Sequence, residues 1–130
     1  MDRAAVEEGI RRYFQGRDGG VTAVYLFGSV ARGEAGAASD VDVAVLLATD
    51  PAPQLDGLLL ADEEELEKTL GAPVQLVVLN TAPCDLVHRV LRDGVLLVDR
   101  RPSARIMFEV RARNEFFDLQ PVLDSYRKGR

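Results

Sequence analysis

The chain has 130 residues with 16 Lys and Arg against 21 Asp and Glu, a formal net charge of −5, and so acidic a chain is a poor binder of nucleic acid, which rests on basic patches. At this length one domain buries around two-thirds of its unfolded surface, and 47% hydrophobic residues make it globular rather than disordered. A single cysteine, Cys84, and a single histidine, His88, leave no intrachain disulfide and no zinc cluster, which fits a reducing cytoplasm; no stretch nears the roughly 20 apolar residues of a membrane span.

The N-terminus MDRAAVEEGIRRYF is charged and amphipathic, unlike a signal peptide. Asp2 is a candidate N-cap, and Val6, Ile10, Tyr13 and Phe14 fall at helical spacing, so residues 3 to 16 are expected as a helix that stops before Gly19-Gly20. Val21 to Phe27 is apolar apart from Thr22, short and rich in β-branched and aromatic residues, which predicts a buried strand. It ends at Gly28-Ser29. Glycine there allows a sharp turn and a close approach to a ligand, and Ser29 to Arg32 can open a short helix whose free N–H groups attract an anion. The loop Glu34 to Ala38 is small-residued, and Ser39 is placed to close it by bonding nearby backbone.

Ten residues separate Ser29 from Asp40-Val41-Asp42, where a second strand begins. Residues i and i+2 of a strand share a face, so Asp40 and Asp42 have Cα atoms about 6.6–7 Å apart and point the same way. Their carboxylates can converge on a cation, and an all-oxygen pair favours Mg²⁺ over zinc.

After Thr49-Asp50-Pro51, a helix entry, the leucines at 55, 58, 59, 66 and 70 give a broken apolar face that Gly71 terminates. Two helices jointed near Ala61 are expected, with Asp62 to Glu65 a solvated face. Residues 73 to 79 form a third strand. A short helix follows with Leu86, Val87, Val90 and Leu91 inward, His88 off the stripe and Asp93-Gly94 as its stop, and residues 94 to 98 make a fourth, edge strand. In the tail, Ser103 is a candidate N-cap; Ile106, Val110 and Phe117 form the face expected to pack on the sheet. Pro121 is expected to break or kink the helix, and Phe116 to Tyr126 carries apolar surface suited to a partner.

The span GSVARGEAGAASDVDVAV, a Gly-Ser followed after ten residues by Asp-x-Asp, resembles the signature of the polymerase-β-type nucleotidyltransferase superfamily. Within it the chain is most similar to the minimal nucleotidyltransferases, in particular the MntA-type adenylyltransferase antitoxins paired with HEPN toxins. PVQLVVLNTAP, HRVLRDGVLLVDR and ARIMFEVRARNEFFDLQPVLDSYRK resemble later segments of that family, so the likeness covers nearly the whole chain.

The resemblance implies a two-layer α+β polymerase-β-like domain over residues 1–100, with a small mixed sheet carrying Asp40, Asp42 and Gln75 side by side and helices on one face. Residues 101–130 are then a C-terminal helical extension packed on that domain and on a partner. The resemblance also implies transfer of AMP from ATP to a hydroxyl, a tyrosine of a HEPN toxin, in a hetero-oligomer with it. Gly28, Ser29, Ser39 and Arg32 would meet the nucleotide, and Asp40 and Asp42 would hold Mg²⁺. Where related enzymes commonly carry a third Asp, this chain has Gln75, which is neutral and accepts no proton at neutral pH. Three readings follow: transfer with two carboxylates, recruitment of another acid such as Asp56 or Asp85, or nucleotide binding without transfer. Two other classes of function stay open, an antitoxin acting by direct binding alone and a small-molecule nucleotidyltransferase of the aminoglycoside-modifying kind.

Overall fold

Four short apolar segments, each too short for a helix and bounded by turn residues, become the four strands of one sheet. The computed structural model describes residues 2–17, 20–34, 36, 39–49 and 56–128, with only the helical backbone in 56–60 and 119–128. Helix α1 (Arg3–Gln15) starts where Asp2 accepts the Ala4 N–H at 3.1 Å and buries Val6, Ile10 and Phe14. Strand β1 (Val21–Phe27) runs into the one-turn helix α2 (Gly28–Ala31), and β2 (Val41–Leu47) returns antiparallel beside it. Helix α3 (Asp56–Leu70) carries the chain across to β3 (Val74–Val78), parallel to β2, and Gly71 at φ +69 supplies its left-handed stop. A 3₁₀ turn (Leu79–Thr81), α4 (Cys84–Asp93), β4 (Val95–Asp99) and α5 (Pro102–Lys128) complete the chain. The strand order is β3-β2-β1-β4, a small mixed sheet in an α+β domain with a C-terminal helix.

Side-chain alternation divides the core. Val24, Leu26, Val41, Val43 and Val45 face α1 and α3, while Ala23, Tyr25, Ala44 and Leu46 face α4 and α5. The second face therefore carries a helical layer of its own beyond the two-layer expectation, because Val87 and Val90 of α4 and Phe108 and Ala112 of α5 supply apolar surface to cover it.

The acidic run on α3 does more than face solvent. Glu63 accepts the Leu76 N–H at 2.9 Å and Glu67 the Val74 N–H at 3.1 Å, so two carboxylates one helical turn apart close the outer edge of β3. Asp62 and Glu65 receive the Tyr13 hydroxyl and pair with Arg17, tying α3 to α1. Helix α3 runs unbroken through Ala61, so the joint expected there is absent; residues 50–55, including the Thr49-Asp50-Pro51 entry beyond Thr49, lie outside the described residues. Replacing Glu63 and Glu67 together by Ala orphans both edge N–H groups and is expected to cost about 1–3 kcal/mol in urea unfolding. Gln at both positions, which still offers an acceptor, is expected to recover most of that loss.

The tail also differs from its expected form. Ile106, Val110 and Phe117 are 48%, 49% and 61% exposed, so they do not form the face packed on the sheet. The inward face is instead pinned by polar groups. The Tyr25 hydroxyl donates to Glu109 Oε2 at 2.8 Å, and Arg105 bridges Glu109 and Asp99 Oδ1, the latter at 3.0 Å. Phe116 stacks on His88 with ring centroids 3.6 Å apart. The helix begins at Pro102, with Ser103 inside the first turn rather than capping it, since proline's fixed φ suits the first helical position. It continues through Pro121 without the expected break, proline costing only one ladder bond where the flanking turns keep helical dihedrals.

Candidate active site

Asp42 is the second residue of β2 and stands between Phe27 of β1 and Gln75 of β3 in the sheet register. Opposed residues on neighbouring strands share a face, which puts Asp42 and Gln75 side by side with Cα atoms about 4.8 Å apart. Asp42 is half-buried, while Asp40, just before the strand, and Gln75 are exposed. The strand periodicity that buries Val41 and Val43 thus turns the two aspartates outward on the opposite side.

Gly28 sits at the end of β1 with φ +77, a left-handed conformation that favours glycine. A Cβ added there would fall within the van der Waals shell of Asp42 Oδ2, so the Gly-Ser turn passes directly against the carboxylate. Gly28→Ala is therefore expected to force backbone strain and a shifted Asp42 together. The expected loss is about 1–3 kcal/mol of stability, read as a lowered melting temperature.

Beyond Gly28, Arg32 donates its backbone N–H to the Gly28 carbonyl at 3.2 Å, and Glu34 donates to the Ser29 carbonyl at 2.9 Å, so the α2 turn is held by its own backbone. Ser29 is half-buried, and its hydroxyl has no hydrogen-bond partner among the described residues. Ser39 Oγ accepts the Gly36 N–H at 2.9 Å, and its own N–H donates to the Gly36 carbonyl at 3.2 Å, so its side chain closes the loop just before Asp40.

Burial raises the Asp42 proton affinity above the ordinary carboxylate value, the charge of Asp40 raises it further, and Arg32 opposes both. Such a site holds an excess of negative charge that a cation relieves. Arg32 is exposed and paired with Glu34 at 3.0 Å, and its field also reaches Asp93 at the end of α4. Asp93 and Glu34 are neighbours that sequence reading did not place here. Glu34 is legible only as a neighbour two residues from Arg32; Asp93 has no local signal, because the packing of α4 near α2 brings it in. Asp85 opens α4 at the end away from Asp93, about 12 Å along the helix, and is not brought to the carboxylate pair. The side chain of Asp56 lies outside the described residues. Among the described residues no three His, Cys, Asp or Glu side chains gather as a metal cluster, and Asp40 and Asp42 are the carboxylates that share the start of β2.

The chain matches the family Polymerase beta, Nucleotidyltransferase, over residues 8–103, and belongs to that family. Solved structures place the fold more closely. A chain of a toxin-antitoxin crystallised with AMP-PNP is 25% identical, with a TM-score of 0.73 over 93% of this chain and 98% of that one. The toxin-antitoxin MntA-HepT gives 23% identity and a TM-score of 0.67, covering 94% and 97%. A Shewanella oneidensis complex of tri-AMPylated HEPN toxin with MNT antitoxin gives 22% and 0.69, covering 97% and 99%. No curated protein matches the chain. No described helix is long and apolar enough to cross a membrane.

Proposed function

We propose that this nucleotidyltransferase moves AMP from ATP to a tyrosine hydroxyl of a HEPN toxin encoded with it, and so acts in the cytoplasm as the antitoxin of that pair. The observation that carries the proposal is the packing of Gly28 on Asp42, with Asp40 two residues before it and Gln75 alongside. The likeness to antitoxin complexes, one crystallised with the ATP analogue AMP-PNP and one with AMPylated toxin, supports the choice of nucleotide and of partner.

The donor set fits Mg²⁺: two carboxylates, one of them half-buried with a raised proton affinity, leave positions for water and phosphate oxygens, the usual way this ion is bound. Asp40 and Asp42 would hold it, and when bound it supplies charge neutralisation on the triphosphate. The chain's own residues do the rest. The Gly28-Ser29 turn offers backbone N–H groups and the unpartnered Ser29 hydroxyl to the β and γ phosphates. Arg32 leaves Glu34 to meet the same anion, an exchange that costs little because an exposed ion pair contributes little. Ser39 keeps the approach to Asp40 in shape. Gln75 orients the incoming hydroxyl as a hydrogen-bond partner while its proton passes to water or to a phosphate oxygen, and pyrophosphate leaves in line.

The extension 101–130 serves the partner. The exposed Ile106, Val110 and Phe117 line one side of α5, away from the Tyr25–Glu109 pin, and form the face offered to the toxin. Co-expression tests the mechanism against neutralisation by binding alone. Wild-type protein is expected to rescue growth from its toxin and Asp40→Ala to fail while still co-purifying with it. Rescue by Asp40→Ala would show that transfer is not the mechanism.

A further inference from the structure

At the other end of the sheet from Asp42, about 16 Å along β2, lies a cavity of about 480 Å³ between α5, α4 and the 3₁₀ turn. That volume is within the range of small-molecule sites. Leu46, Leu79, Val87 and Phe108 supply the apolar part of its lining, beside polar surface from Asn80, Arg111 and Glu115. Thr22 of β1 lines it at 1% exposure, and its hydroxyl has no hydrogen-bond partner among the described residues. A bulge in the β1–β2 pairing between Val21 and Ala23 sets Thr22 apart from the ladder, a device that re-aims a side chain.

The charged groups at the cavity say which kind of ligand it suits. Asn80 is committed to the end of β2, accepting the Leu47 N–H at 2.8 Å and donating to the Leu47 carbonyl at 2.9 Å. Glu115 lies near Cys84 at the start of α4, a helix end without a side-chain cap, where a negative charge is favoured. Arg111, one turn before Glu115 on α5, makes no ion pair with a described residue, so its guanidinium is open to an anion in the cavity.

We propose that this cavity binds a small amphipathic anion of the aliphatic carboxylate class. Its chain lies against the apolar part of the lining and its carboxylate meets Arg111. The site is separate from the nucleotide turn and does not depend on the reading of that turn.

The fluorescent aromatic anion 1-anilinonaphthalene-8-sulfonate is the probe, with decanoate and decyltrimethylammonium as competitors. One probe molecule is expected to bind per chain, with decanoate displacing it and the cationic decyl compound not. Arg111→Ala is expected to weaken decanoate about tenfold, as for one partly screened charge-assisted hydrogen bond; Glu115→Gln is expected to tighten it. Ala112→Phe fills the cavity and is expected to remove binding, as is Ala104→Phe, at an exposed position that lines the cavity, should the first variant fold poorly. Probe binding that survives Ala104→Phe, or that disappears in Phe117→Ser, would put the probe on the exposed stripe of α5 and overturn the cavity site. Equal displacement by the two decyl ions would overturn the anion assignment.

Discussion

Asp42→Asn is expected to lower AMP transfer on the order of a thousandfold and at the same time to raise the stability of the free protein. Both effects come from one feature, a carboxylate held half-buried beside a second carboxylate and against a glycine turn. The amide keeps the shape but not the charge, so it offers a cation no carboxylate at this position. Burial first and Asp40 second raise the proton affinity of Asp42 in the folded state. The unfolded chain ionises this group nearer the ordinary value of 3.8. As pH rises through that value the unfolded state binds fewer protons than the folded one, so stability falls until the folded carboxyl has ionised as well. Asn carries no such cost. In Mg²⁺-free, nucleotide-free buffer the variant is expected to melt above wild type at pH 7, and the two are expected to converge below pH 3.8. A variant that melts lower at neutral pH would mean that Asp42 is satisfied by the fold itself rather than held for a cation.

Gln75→Asp is expected to act in the opposite sense, raising transfer on the order of a hundredfold, the low end of the range for a positioned general base. Asp42 and Gln75 are register partners on parallel strands and the side chain at 75 is exposed, so the new carboxylate meets no steric obstacle. It adds a third negative charge instead. The melting temperature is expected to drop in Mg²⁺-free buffer and to recover when Mg²⁺ and ATP are added together, since ligands that bind only the folded state stabilise it. An unchanged rate in Gln75→Asp, with Asp42→Asn inactive, would show that loss of the hydroxyl proton does not limit the reaction.

The carboxylates and the turn were legible because each is a local pattern: a continuous apolar strand ended by Gly28, and an Asp-x-Asp at the start of another. Periodicity likewise gave α1, whose buried face is Val6, Ile10 and Phe14 as its spacing says. The tail was misleading because α5 has two apolar sides. Ile106, Val110 and Phe117 form a helical stripe as good as that of Phe108, Ala112 and Phe116. Orientation is set by Tyr25, 84 residues before Glu109, and by the Arg105–Asp99 pair. The acidic run on α3 was read as solvated for a similar reason. Nothing near Glu63 or Glu67 in the sequence says that the open edge of β3 will lie beside them. Thr22 was visible as a polar residue in an apolar strand, but its meaning depends on a bulge and on the later arrival of α4 and α5 above it.

Transfer of AMP by the Asp40–Asp42 site is the central step of the proposed function. The decisive measurement is the intact mass of the partner HEPN protein after incubation with this protein, Mg²⁺ and ATP. A gain of one or more AMP units, absent with Asp42→Asn and lost when the acceptor tyrosine is changed to phenylalanine, is the predicted result. An unchanged mass with both wild type and Gln75→Asp, in a complex that still forms and still silences the toxin, would contradict it.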